Sequence, residues 1–312
     1  MQKSQPKIDL SDGNIVELRK ANDPGLFVFW VLGNQCTYSC SYCPERFHSG
    51  SYKYHPTDVV QNLLKTLPPC EVMFSGGEAT YHPDFEKIVL EKPDHVRISV
   101  ISNASRPIGF WERIVSKLHS VVLTFHSEFA NLDRFLATAN LVYKEHDRYG
   151  RVNLTMIPEK WDYCVDVYNR LVEQQIPVVV KPLVENFGSG STGLLSGYTS
   201  EQLDWISKIS SDGEKNDIIL VDKDDNIVHQ TSASELLSSH STDFREWECH
   251  TNTTRMYVDM DGLIFDTVCK QRTNTGSIYT GYTIPPKPMI CKQNFCWCHT
   301  DINAKKIKIT SI

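Results

Sequence analysis

Six apolar runs of strand length, at residues 26–32, 71–74, 95–101, 120–125, 151–157 and 177–181, alternate with segments of helical period. That alternation leaves few architectures open, because parallel strands need helical crossovers that cover the sheet, and strands so covered read as near-continuous Val, Ile, Leu and Phe. It predicts six βα units and a parallel sheet. Segment 57–67 places Val59, Val60, Leu63, Leu64 and Leu67 on one stripe behind a Pro-Thr-Asp start signal, which predicts an amphipathic helix with a capped N-terminus. Segments 132–149 and 161–174 predict two more helices.

After the sixth run comes Asn186-Phe-Gly-Ser-Gly-Ser-Thr-Gly193, too rich in Gly and Ser for a regular element and read as a flexible connection or an active-site loop. A helix at 200–210 and a hairpin over 218–228, turning at Lys223-Asp-Asp-Asn226, follow. With 312 residues the chain suffices for one catalytic domain and an add-on.

The ten cysteines restrict the chemistry. The first twenty residues contain no apolar signal core, and no stretch approaches the ~18 apolar residues of a membrane span, so the expectation is a cytoplasmic protein. In a reducing compartment, clustered cysteines point to metal ligation or catalysis rather than disulfides. A net charge of −6 offers no pull toward phosphate backbones or anionic lipid, so neither nucleic acid nor a membrane is an expected partner. Three cysteines fall in 36–43 and five in 249–298, while Cys70 and Cys164 stand alone and read as small buried hydrophobes.

Cys36-x3-Cys40-x2-Cys43 follows the first strand, at the strand end where barrel enzymes build their sites. Three thiolates leave one iron of a [4Fe–4S] cube without a protein ligand, whereas a structural zinc site wants four. A zinc knuckle is the bland alternative. Directly after the second strand, Ser75-Gly76-Gly77-Glu78 pairs two glycines, suited to close backbone approach, with a carboxylate suited to an ammonium group.

Taken together, these motifs resemble the radical S-adenosylmethionine (SAM) superfamily, whose pattern is Cys-x3-Cys-x-aromatic-Cys followed by Gly-Gly-Glu after the second strand of a partial (β/α)6 TIM-like barrel. The resemblance covers residues 26–185. It implies that Cys36, Cys40 and Cys43 hold a [4Fe–4S] cluster whose open iron binds SAM, that Tyr42 lies against the adenine, and that Gly76, Gly77 and Glu78 hold the methionine amino group. Ser102 and Asn103, where the family often has Thr-Asn-Gly, and Thr124, where it often has Ser-Leu-Asp, are weaker SAM contacts because Ala104 and His126 depart from the pattern. His126, Glu128, Lys181 and Glu185, after the fourth and sixth strands, are substrate-side candidates.

In the second field, Cys249 and Cys269 flank 256–265, which alternates, turns at Asp-Gly and alternates again, so a hairpin carries two thiols near its ends. Cys291-x4-Cys296-x-Cys298 returns after a proline-stiffened approach. So short a segment buries little core, and a metal is expected to organise it. The pattern resembles the C-terminal SPASM and twitch extensions that follow many radical SAM barrels, implying a second, auxiliary [4Fe–4S] cluster with one of the five cysteines spare. A structural zinc is the alternative. The expected division is an N-terminal extension at 1–25, the barrel at 26–190, a connecting segment at 191–245 and the auxiliary-cluster domain at 246–312.

The resemblance implies reductive cleavage of SAM to a 5′-deoxyadenosyl radical that abstracts a substrate hydrogen, fed by an external one-electron donor of flavodoxin or ferredoxin type. Oxidation or rearrangement of a small, sugar-like metabolite is the first expectation, because the first strand begins near residue 26 and leaves no room for the leader-binding domain common in peptide maturases. Modification of a ribosomal peptide by cross-linking, epimerisation or oxidation is the second. A non-catalytic Fe–S or zinc-binding protein is a third reading, against which Gly76-Gly77-Glu78 speaks.

Overall fold

Every second residue of the apolar runs is sealed from solvent: Val28, Trp30, Val72, Phe74, Ile98, Val100, Leu123 and Leu154 are fully buried. Their neighbours Phe29, Met73, Thr124 and Asn153 are only partly buried. One face of the sheet is therefore covered by helices, and the other lines an interior. The computed structural model describes residues 8–10, 14–21, 23, 25–48, 53–185, 194, 196–213, 217–269 and 271–309. The Gly/Ser stretch at 186–193 lies outside them.

Along the chain run β1 (Glu17–Lys20), β2 (Leu26–Val31), α1 (Thr57–Thr66), β3 (Cys70–Ser75), α2 (Phe85–Leu90), β4 (Val96–Ser102) and α3 (Ile108–Ile114). Then come β5 (Ser120–Phe125), α4 (Leu132–Asn140), β6 (Tyr149–Met156), α5 (Trp161–Glu173), β7 (Val178–Pro182), α6 (Ser200–Gly213), β8 (Ile218–Val221), β9 (Ile227–Thr231) and α7 (Ala233–Ser238). The last part holds β10 (Trp247–Cys249), α8 (Thr251–Thr254), β11 (Arg255–Val258), β12 (Leu263–Phe265), β13 (Asn274–Ser277), β14 (Gly281–Tyr282), β15 (Met289–Ile290), α9 (His299–Ile302) and β16 (Lys306–Lys308). Strands β2 to β7 lie side by side in sequence order, all parallel. This is a mixed α/β fold with a parallel sheet. No helix among the described residues is long and apolar enough to cross a membrane.

Two local expectations are corrected. The helix expected over 132–149 stops at Asn140, passes through one wide turn at Leu141–Glu145, and yields to β6, because Tyr149 pairs with Ser120 and Asp147 turns the chain with φ 46°. No side chain caps α1: the Thr57 hydroxyl donates instead to Asp84 across the gap to α2, at 2.6 Å.

The parts expected as extension, connection and add-on are rearranged. Strand β11 joins the free edge of β2 in parallel, with Tyr257 in register with Phe29, so the 256–265 hairpin and β13–β14 continue the barrel sheet to ten strands. A second sheet, in the order β15-β10-β16-β1-β8-β9, draws on all three other regions. It buries its own core of Leu18, Ile218, Leu220, Leu236, Phe244, Trp247 and Ile302, against which Cys291 and Cys296 pack. The second cysteine field contributes little core of its own, as expected, and shares one to which residues hundreds of positions apart contribute.

Candidate active site

The first cysteine loop leaves β2 and lies directly on the turn after β3. Gly77 N–H donates to Gly33 O at 3.0 Å, and Glu78 N–H to Gln35 O at 2.7 Å. Gly76 has φ 141°, and a Cβ there would stand 2.4 Å from Gly33 O; at Gly77 it would stand 2.4 Å from Gln35 O and 2.5 Å from Phe47 O. The paired glycines thus serve the approach of one backbone to another, the turn to the cysteine loop.

Glu78 is buried, and its carboxylate points into the protein. One oxygen accepts from Thr80 N (3.1 Å), the Thr80 hydroxyl (2.6 Å) and the Ser102 hydroxyl (2.8 Å), and the other accepts from Asn103 N (2.6 Å). Burial pushes the Glu78 carboxyl up, while these donors pull it back toward the ionised form. Glu78 therefore bolts the turn after β3 to the end of β4, and in this structure its oxygens serve the chain's own donors. The bolt aims Asn103, whose amide reaches Thr37 Oγ1 at 3.1 Å and Cys36 Sγ at 3.7 Å. Glu78, Ser102, Asn103 and the cysteine loop, expected separately, come together as one unit.

Burial pushes the Cys36 thiol up to about 11, the Cys40 thiol up to about 12 and the Cys43 thiol up as well, and each of the first two is raised further by the other thiols' charge. Such thiols ionise only against an electropositive partner, and three of them on one loop suit a metal cluster. On the far side, Glu128 accepts from Ser41 N (2.8 Å) and the Ser41 hydroxyl (2.5 Å), clamping the loop between Cys40 and Cys43. Tyr42 stacks on His126 with ring centroids 6.0 Å apart, and its hydroxyl shares a 2.7 Å hydrogen bond with His126 Nδ1. Tyr38, stacked on Phe129 at 5.6 Å and edge-on to His126, completes an aromatic group that the motif spacing did not single out. Its signal is the aromatic residue midway between Cys36 and Cys40.

Thr124 on β5 is in register with Asn153, and Lys181 on β7 with Thr155; all four face the interior side of the sheet. Glu185 is exposed in the turn beyond β7. Cys70 and Cys164 are buried in the apolar core, as expected.

Enclosure holds the His126 imidazole down to about 4, below its ordinary value near 6.5. A depressed imidazole binds fewer protons folded than unfolded, so its contribution is present above about pH 6.5 and is lost as pH falls toward the folded value. Urea unfolding should show about 2 kcal/mol lost between about pH 7.5 and pH 5 from this group. His126→Gln, which keeps a hydrogen-bond partner for Tyr42, is expected to flatten that part of the profile; equal slopes for the two proteins would refute it.

In the second field, Cys249, Cys269, Cys291 and Cys296 line one small cavity together with Asp301 and Lys306, and Cys298 lies outside its lining. Cys249 ends β10 between Met289 on β15 and Lys306 on β16, and Cys269 follows β12, so the two flank the β11–β12 hairpin as expected. Gln271 ties the two approaches, donating to Ile290 O at 2.9 Å and accepting from Lys292 N at 2.9 Å. Cys298 instead heads α9, its carbonyl accepting from Ile302 N at 2.9 Å. Burial raises the Cys269 thiol to about 11 and those of Cys291 and Cys296 as well. Among the described residues no three Cys, His, Asp or Glu side chains converge as tightly as ligands of one metal ion. Thiols on a single zinc stand about 4 Å apart, given bonds near 2.3 Å, and those on a multi-iron cube stand further apart.

Comparison with known proteins adds to this geometry. Residues 30–171 match the family described as Radical SAM superfamily. The match spans a little under half of the chain and is a similarity to that family. No curated protein sequence matches the chain. Among solved structures, Streptococcus suis SuiB is similar at 15% identity, over 82% of this chain and 64% of its own, with a TM-score of 0.52. Native anSMEcpe with bound AdoMet is similar at 16% identity over 81% of this chain and 78% of its own, with a TM-score of 0.50. Its form with bound AdoMet and Kp18Cys peptide matches at 14% identity, 82% and 78% coverage and a TM-score of 0.51. At these identities the likeness to the radical SAM domain and its surroundings is one of fold.

Proposed function

We propose that this chain is a radical SAM oxidoreductase or mutase with a second iron–sulfur centre. The observation that carries the reading is the three-thiol loop seated on the Gly76-Gly77 turn, with Asn103 held against Cys36 by the buried Glu78. When bound, the cluster and SAM supply a carbon-centred radical able to take a hydrogen atom from a substrate. The protein's part is to hold the thiols apart from water, fix the loop and present one C–H bond. Cys36, Cys40 and Cys43 hold the first cluster, and Gly76, Gly77, Glu78, Ser102, Asn103 and Thr124 frame the SAM side. The aromatic group around Tyr42 closes the loop's far edge. The interior face from Thr124 to Lys181 receives the substrate.

Cys249, Cys269, Cys291 and Cys296 hold the auxiliary [4Fe–4S] cluster in this reading, supported by their shared cavity, and Cys298 is the spare cysteine. The reconstituted protein should then carry about eight irons per chain. Alanine at any one of the four is expected to lower this toward about four, while Cys298→Ala keeps all of it. Full iron in Cys291→Ala, or loss in Cys298→Ala, would reject that ligand set.

The substrate reading has two branches. A small metabolite remains the first. A peptide side chain is the second, supported by the similarity to a fold that binds AdoMet and peptide together. The test of the main reading is anaerobic reconstitution followed by reductant and SAM. Release of 5′-deoxyadenosine is expected, and none from a fully iron-loaded sample would overturn the reading.

A further inference from the structure

Lys306 is 1% exposed, a rare placement for a lysine. It lies on β16 opposite Cys249, with its side chain in the wall of the four-cysteine cavity. Its three N–H donors meet three carbonyls at the end of α9: Asp301 O at 2.5 Å, Ile302 O at 3.0 Å and Ala304 O at 3.0 Å. Nζ also stands 4.8 Å from the centre of the Phe244 ring. The ammonium therefore has its donors satisfied and its position fixed, with little freedom to turn away.

Lys306 thus caps the end of α9, where the buried Arg255 serves two neighbouring carbonyls, Thr300 O and Asn303 O. What distinguishes the site is its charge. Four thiolates around an iron–sulfur core leave net negative charge in a low-dielectric cavity, and each added electron increases it. Lys306, in the wall of the same cavity, opposes that charge. Asp301, buried at the same wall, is the opposing negative charge, and both Lys306 and the buried Arg255 act on it.

We propose that Lys306 is a positioning residue that makes the second centre easier to reduce by one electron. The inference rests on the proposed auxiliary cluster. A cation held beside an anionic centre stabilises the reduced state more than the oxidised one, so the potential rises. The second site is in this way biased toward accepting an electron.

The test is a potentiometric titration by electron paramagnetic resonance, using the whole reconstituted chain with Cys36, Cys40 and Cys43 replaced by alanine, so that only the second centre contributes. Lys306→Met is expected to lower the equilibrium constant for one-electron reduction at least tenfold, a shift of about 59 mV to more negative potential. Lys306→Arg, which keeps the charge, is expected to stay within that span. A Lys306→Met protein that loads iron and titrates at the parent potential overturns the inference, as does a Lys306→Arg protein that shifts as far as Lys306→Met. If Lys306→Met fails to load iron, Lys306→Arg decides: normal loading and potential support the charge role, and failure there too assigns Lys306 to shape alone. A parent that holds no iron in the second field overturns the auxiliary-cluster reading itself.

Discussion

Replacing Cys36, Cys40 and Cys43 together by alanine is expected to reduce 5′-deoxyadenosine release to the level of a protein-free control, while iron falls only from about eight to about four per chain. Both halves of the result matter. The three thiols sit on one loop between Gly33 and Phe47, and that loop rests on backbone from the turn after β3. Cys70 and Cys164, the remaining cysteines of the barrel, are buried in the apolar core and cannot substitute as ligands. Cys249, Cys291 and Cys296 of the second field lie on or against a different sheet with its own core, and only Cys269 comes from the barrel sheet, so loss of the first cluster is expected to leave the second field folded. Measured as product by chromatography and as iron by colorimetry, the variant separates the two sites. Cleavage that survived the triple replacement would place the reactive cluster elsewhere.

Gly77→Ala is expected to cost about 2–3 kcal/mol of unfolding free energy and to lower iron loading at the first site, although the substitution touches no ligand. A methyl group at Gly77 would meet Gln35 O at 2.4 Å and Phe47 O at 2.5 Å, and both are main-chain atoms that cannot rotate aside. The loop must then lift as a body, taking Cys36 and Cys43 with it. Gly109→Ala is the control: the nearest atoms to its new methyl are ends of flexible side chains at 3.7 and 3.8 Å, and it lies within α3, where alanine favours the helix. Chemical denaturation and iron content of the two variants decide the matter. Equal behaviour would mean that the turn tolerates displacement and that the glycines serve something other than loop packing.

Much of the barrel is legible from residues alone because its strands are continuous runs flanked by breakers. All six runs begin and end within two residues of the folded strands, and Ser120–Phe125 coincides fully. The cysteine loop is legible for the same local reason: spacing fixes which thiols share a turn. What is not legible is pairing at a distance. Nothing in Arg255–Val258 announces that it will lie beside β2, more than two hundred residues earlier, since edge pairing depends on which strand is left uncovered. Nor does Glu17–Lys20 announce a place between β8 and β16, since a four-residue strand has too short an alternation to specify a partner. The role of Glu78 was half visible. A carboxylate after Gly-Gly reads as a ligand group, and only the folded chain shows Thr80, Ser102 and Asn103 converging on it.

The second sheet gathers strands from both ends of the described chain, and β16 lies at its middle between β10 and β1. During synthesis the barrel strands can pair as they emerge, each with the one before, but β10 has no neighbour on that side until residues 306–308 have left the ribosome. The four cysteines that share the second cavity are therefore brought together only when β16 joins the sheet, whereas the parallel strands of the barrel pair without it.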